Sequence, residues 1–495
     1  MKTKINTILR IAVLSMVALT SAQAASRTWI NASGGTFVGT TADWSPATLP
    51  LIGDTVLFDA TGASATYTVT LDANYTFQQL QNQAGDSVTV ALGGNTLTLS
   101  VKNPLLNITG NFNFQNGTLV ASHANKLLDF GASGKITSTL AGVTANIIAF
   151  QVGVAAVPGV DSSDSLLTLE AGTVLTASGA TTIGGIAAAA IASTSTNSKL
   201  LVTGVGSTFA GAEFRVGTTT NSTGNTLEVA SGGALTGAGL LVGSHHTGGG
   251  VYSAGGNTVL IHGQDSTASV TSIIIGAANI ATTVNNSLVV ESNGELVTSG
   301  NLIISGTAGN TNNRVVVESG GSVILNNTSN TVNFGFMEVN GGTLDAKGLT
   351  LVNQGRLNFL DGTIAIDGNL STSTTGGGRF GFDLTGDDPI TFTGIGIING
   401  TLAIGSTANS NFIDIFGVTG LGNYTLFTST GNMDANVATR LALGNTPIGF
   451  EGSLVYNPNS IVLNVGAIPE PNTAVLLAAG LMVLVMRARR RGVRA

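Results

Sequence analysis

The chain has 495 residues, with 68 Gly, 9 Pro, 2 Trp and no Cys, a charged fraction of only 9% and a formal net charge of -7. The lack of cysteine excludes disulfide frameworks, cysteine-bound zinc, iron-sulfur clusters and thiol nucleophiles, and a pI near 5.0 leaves no basic footprint for nucleic acid. A 43% hydrophobic content with a mean hydropathy of +0.37 excludes disorder as the dominant state. Aromatics contribute only 5%, so the core must come from Ala, Val, Ile and Leu, a mix that suits short strands joined by tight turns.

The first residues carry Lys2, Lys4 and Arg10, followed by an apolar run from Ile11 to Leu19 and then Ala22-Gln23-Ala24. Basic start, short apolar stretch and small-x-small close predict a secretory signal over residues 1–24, cut after Ala24 by signal peptidase once the secretion translocon has engaged it. The alternative, a permanent anchor, needs a longer run to span about 30 Å of hydrocarbon.

Residues 25–150 hold both tryptophans, Trp29 and Trp44, and strands that alternate in polarity, Tyr67-Thr68-Val69-Thr70-Leu71 and Asn95-Thr96-Leu97-Thr98-Leu99. This stretch is expected to form an N-terminal cap and the first coils. Residues 151–345 repeat. Leu227-Glu228-Val229-Ala230-Ser231-Gly232-Gly233 matches Leu288-Val289-Val290-Glu291-Ser292-Asn293-Gly294 and Val315-Val316-Val317-Glu318-Ser319-Gly320-Gly321, and each unit closes on Ile183-Gly184, Val216-Gly217, Val242-Gly243 or Ile275-Gly276. The spacing is about 27 to 34 residues, with the length variation confined to the stretch after the closing glycine. Strands at this period predict a β-solenoid, specifically a right-handed parallel β-helix in which neighbouring coils complete one another's core. A β-sandwich array would need longer strands and no variable corner at a fixed phase.

Asn225, Asn257, Asn286 and Asn313 each precede the first strand of a unit, with Asn197 in a similar place. Stacked in register, they can hydrogen-bond along the axis; equally, asparagine is common in turns. The same alignment sets Ala230, His262, Glu291 and Glu318 level. His262 with the two glutamates could hold a cation, or the three could be a solvated corner. His245 and His246 lie in the longest corner insertion, His123 is isolated, and Asp387-Asp388, with Arg379 nearby, reads as a turn before Pro389.

Strands continue with weaker repetition through residues 346–466, predicted to be C-terminal coils and a closing cap that includes Asn423-Tyr424-Thr425-Leu426-Phe427 and Ser460-Ile461-Val462-Leu463-Asn464-Val465. The chain body, free of both ends, has 11 basic residues against 25 acids, a net charge of about -14 that disfavours DNA and anionic membranes. Residues 467–495 contain Pro469-Glu470-Pro471, thirteen mostly apolar residues from Ala474 to Met486, then Arg487, Arg489, Arg490, Arg491 and Arg494. The arginines should stay cytoplasmic, with Pro-Glu-Pro just outside the inner membrane and a short hydrophobic helix between them.

This tail resembles the PEP-CTERM sorting signal of exported proteins in Gram-negative bacteria that make extracellular polysaccharide. The resemblance implies recognition and processing by an exosortase-type membrane protease, and delivery to the cell surface or extracellular matrix. The Trp and Pro spacing of the N-terminal segment, more loosely, resembles exported β-helix proteins with autotransporter-type repeats, although no C-terminal membrane barrel pattern follows. Neither paired carboxyls in a glycosidase pattern, nor a nucleophile elbow, nor a phosphate loop stands out. The expected role is therefore noncatalytic, structural or adhesive, with no catalytic, metal or cofactor site. The alternative is a β-helix that binds or degrades carbohydrate, as a lectin, lyase or hydrolase.

Overall fold

The computed structural model describes residues 25–466, apart from short stretches of which the longest are 187–193, 244–252, 305–311 and 386–395, together with residues 480–485 and 487. The body is a parallel β-helix. Strands of successive turns of chain pair in parallel along three sides of each coil. One side stacks Leu166–Glu170, Lys199–Thr203, Thr226–Ala230, Thr258–His262, Ser287–Glu291 and Arg314–Glu318. The second runs through Val174–Ile186, Thr208–Val216, Ala234–Val242 and Thr267–Ile275, whose far halves, bent at a register shift or corner, form the third. A separate sheet of 5 short strands, from Ser162–Ser163 to Thr282–Val284, covers the corner that follows the variable stretch.

Alternation explains the core. Along Thr226–Ala230 and Thr258–His262, residues point alternately in and out, so each register position becomes a column. Leu200, Leu227, Val259, Leu288, Val315 and Met337 stack inward without solvent exposure, and Val202, Val229, Ile261, Val290, Val317 and Val339 form a second inward column. Each such side chain contributes roughly 1.5–3 kcal/mol of burial. β-Branched and Leu side chains suit this half-buried pleat, which is why a chain poor in aromatics can still build a core. One cluster of buried residues runs from Trp29 to Val465.

The predicted asparagine ladder forms. Asn225 donates from Nδ2 to Asn257 Oδ1 at 3.1 Å, Asn257 to Asn286 at 3.0 Å, and Asn286 to Asn313 at 3.0 Å. The same oxygens accept the backbone N–H of the preceding ladder residue at 3.1 to 3.2 Å. All four side chains are fully buried, so each amide replaces water it has lost. Asn197 is the exception. It sits one place early, at φ 54°, and reaches Asp164 Oδ1 at 3.3 Å, while Ser198 takes the ladder position and donates its N–H to Asn225 Oδ1 at 3.0 Å. The position before the ladder is left-handed in coil after coil, at Asp164, Asn197, Gly224, Gly256 and Asn285, and Gly, Asn and Asp tolerate that backbone best.

The closing glycines belong to the same device. A Cβ on Gly184, Gly217 or Gly243 would lie 2.0 to 2.2 Å from the side chain of Asn225, Asn257 or Asn286 respectively. The amide occupies the space a side chain would need.

Both ends of the stack are covered. Ser26–Trp29 pairs in parallel with Thr55–Phe58 on one edge and antiparallel with Trp44–Ser45 on the other, and the rings of Trp29 and Trp44 meet edge to face at 5.1 Å. At the opposite end Ser460–Val465 lies between Gly422–Ser429 and Gly452–Asn457, antiparallel to both. Antiparallel strands at the ends replace an open parallel edge that would otherwise recruit another chain. Among the described residues of the C-terminal tail, 480–485 are helical and expose Leu481 to Val485; no described helix is long and apolar enough to cross a membrane.

Candidate functional site

Polar residues on the first side collect into columns because outward positions stack as faithfully as inward ones. His262 lies level with Ala230 on one neighbour and Glu291 on the other, as the alignment predicts. Its ring does not join the two glutamates. His262 Nε2 faces Glu228 Oε1 at 3.2 Å, one coil back and two residues along, and Glu228 also takes Lys199 Nζ at 2.5 Å. Burial pushes the Glu228 carboxyl up, but the hydrogen bonds and charges of Lys199 and His262 outweigh it and hold the carboxyl below the usual carboxylate range. Glu318, one coil beyond Glu291, moves the opposite way. Burial raises it first, then its hydrogen bond and charge repulsion with Glu291, with Glu338 adding to the effect and Arg314 opposing it. The expected triad thus separates: His262 turns back to Glu228, and Glu291 and Glu318 are left as a repelling acidic pair.

Arg379 is the second residue of the strand Gly378–Leu384, grips the buried Asp414 with Nε at 2.7 Å and Nη2, and lies over the ring of Phe412 at 4.8 Å. His123, His245, His246, Asp387 and Asp388 lie outside the described residues, as do Ala22, Ala24, Pro469, Glu470, Pro471, Arg489, Arg490 and Arg491; Arg487 is helical and exposed.

No protein-family model and no curated protein matches this chain.

Beyond the last rung at Asn313 the sequence changes the column that follows the ladder. Register pairs Arg314 with Phe336, Phe336 with Arg356, Arg356 with Arg379, and Arg379 with Phe412. Cations and aromatic rings therefore succeed one another on the outer surface, with about 4.8 Å between strands. Arg314 stands 5.9 Å from the centre of the Phe336 ring. A cleft of about 340 Å³ opens here, lined by Asn312, Phe334, Phe336, Gln354, Arg356 and Arg379 together with Gly335. Gln354 Oε1 accepts from Arg379 Nη1 at 3.3 Å, so Arg379 is fixed from two sides. Arg356 is half-buried and has no ion-pair partner among the described residues. Phe334 and Gln354 line the cleft at φ 55° and 64°, a backbone region that bulky side chains seldom adopt.

Proposed function

We propose that this chain is an exported, noncatalytic β-helix, delivered to the cell envelope or extracellular polysaccharide matrix by its Pro-Glu-Pro, apolar and arginine tail, where it serves a structural or adhesive role. The observation that supports this reading best is one buried core running from Trp29 to Val465, followed in the same chain by the sorting tail. A stack of coils whose inner amides are satisfied from coil to coil makes a stiff support, and its outer columns repeat a surface along the axis. The partners on this reading are the translocon and signal peptidase, an exosortase-type protease that acts at the inner membrane, and polysaccharide in the matrix. A carbohydrate-binding role is the second reading, favoured by the cleft at Arg356.

Cell fractionation in a host with the matching protease tests the proposal. Changing Pro469, Glu470 and Pro471 to alanine, or deleting Arg487 to Ala495, should leave export intact and prevent sorting, because recognition needs the motif and the arginines hold the tail inside. Release of both variants at the wild-type level would refute the address.

A further inference from the structure

We infer that the cleft around Arg356 is a binding site for the carboxylate-bearing sugars of an acidic polysaccharide. Arg356 supplies the charge. A guanidinium that is half-buried and not already engaged by a protein carboxylate offers a planar pair of N–H donors to a carboxylate, and such charge-assisted pairs are about twice as strong as neutral hydrogen bonds. Arg379 cannot play this part because Asp414 has taken its fork. Instead it holds Gln354 in place in the same cleft.

The rings supply the second contact. A pyranose presents an apolar C–H face beside its hydroxyls, and Phe334 and Phe336 offer half-buried rings in the same cleft. Gln354, fixed by Arg379 and by the Gly376 carbonyl, and Asn312, bonded to Asn285, form the polar wall of the cleft. Rings for orientation with a few placed polar groups for identity is the ordinary composition of a small-ligand pocket. The surrounding charge sharpens the choice. Glu338 projects outward two residues after Phe336 and accepts from Asn358 Nδ2 at 3.3 Å, and the body as a whole is acidic. The acidic body disfavours a diffuse polyanion contact, so capture here runs through individual sugar carboxylates paired with Arg356.

The site rests on the matrix reading only for its biological setting, since binding is read in solution. Full-length protein should retain polygalacturonate and not neutral dextran in affinity electrophoresis, and free galacturonate should compete. Arg356→Ala should weaken retention at least tenfold and Phe336→Ala severalfold, with melting temperatures unchanged. Arg356→Lys, which keeps charge without the fork, should recover only part of the loss, and Lys347→Ala, an exposed cation elsewhere on the coil paired with Asp367, should leave binding unchanged. No retention of polygalacturonate by the wild type, or equal retention by Arg356→Ala, would overturn the site. Loss of sorting in the tail variants bears on the address alone, because it leaves this binding measurement untouched.

Discussion

The Nδ2 amide of Asn257 donates to Asn286 Oδ1 at 3.0 Å while its own Oδ1 accepts both the side-chain and the backbone N–H of Asn225. One buried side chain thereby joins three coils. Replacing it takes the acceptor from the buried Asn225 backbone N–H and one of two donors from Asn286 Oδ1, and it empties the space the amide fills; an orphaned buried donor alone costs about 1–3 kcal/mol. Asn257→Ala should lower stability by roughly 2–5 kcal/mol in chemical denaturation. Asn312→Ala removes a bond of the same length to Asn285 at an exposed position and should cost under about 0.5 kcal/mol. Equal losses would show that the buried ladder has no special weight.

A glycine pair isolates the space requirement from the backbone requirement. Gly217 and Gly172 both have positive φ, at 59° and 76°. A Cβ on Gly217 would meet Asn257 Oδ1 at 2.0 Å, whereas one on Gly172 meets nothing within 4 Å. Gly172→Ala should cost about 1–2 kcal/mol of left-handed strain, and Gly217→Ala clearly more, because the ladder must move as well. Matched thermal melts decide between them.

Glu228 and Glu318, which stand on the same outer side in different columns, should respond oppositely to pH. Glu228 is held low, so its contribution is present above the ordinary carboxylate range near about pH 4 and is lost as pH falls through its own lower value. Glu228→Gln should therefore lower the melting temperature at pH 7 and converge with wild type in strong acid. Glu318 is raised, so its charge opposes folding as pH rises through that value. Glu318→Gln should leave stability at pH 7 unchanged or slightly higher, by under about 0.5 kcal/mol at this accessible position. Melting curves across pH that give the same sign for both variants would contradict the pairing.

At the other end of the rod, the Ala25 N–H donates to Asp54 Oδ1 at 2.9 Å, and Arg27 Nε reaches Asp54 Oδ2 at 3.3 Å. Cleavage after Ala24 would turn that amide into an ammonium beside a buried carboxylate. Amino-terminal sequencing of the exported protein should begin at Ala25, and Asp54→Asn should destabilise the first coil by about 1–3 kcal/mol, seen as faster hydrogen exchange in Ser26–Trp29.

The coil register was legible because strand alternation is rigid: once Leu227 points inward, Val229 must, and Ala230, His262 and Glu291 fall level. Asn197 stands one residue before the ladder position for a reason of chemistry. A serine can accept the rung's backbone duty, and the asparagine beside it is spent on the left-handed corner. The later coils were harder to see. Phe336–Val352 and Gly355–Thr372 are long strands that pass through corners without a variable insertion, so the spacing falls to 20 residues, as at Lys347 and Asp367. The cleft escaped notice because its residues carry no local motif. Reading down the column after each rung, from Arg314 through Phe336 and Arg356 to Arg379, is the signal that would have found it.

Incubating the full-length protein with purified matrix polysaccharide, and recording both its retention and the length of the recovered glycan, tests the noncatalytic adhesive role most directly. The expected result is retention with glycan chains of unchanged length at every pH where the protein is folded. Shortened glycan, with the activity abolished by a single acidic or histidine substitution that leaves the melting temperature intact, would contradict it.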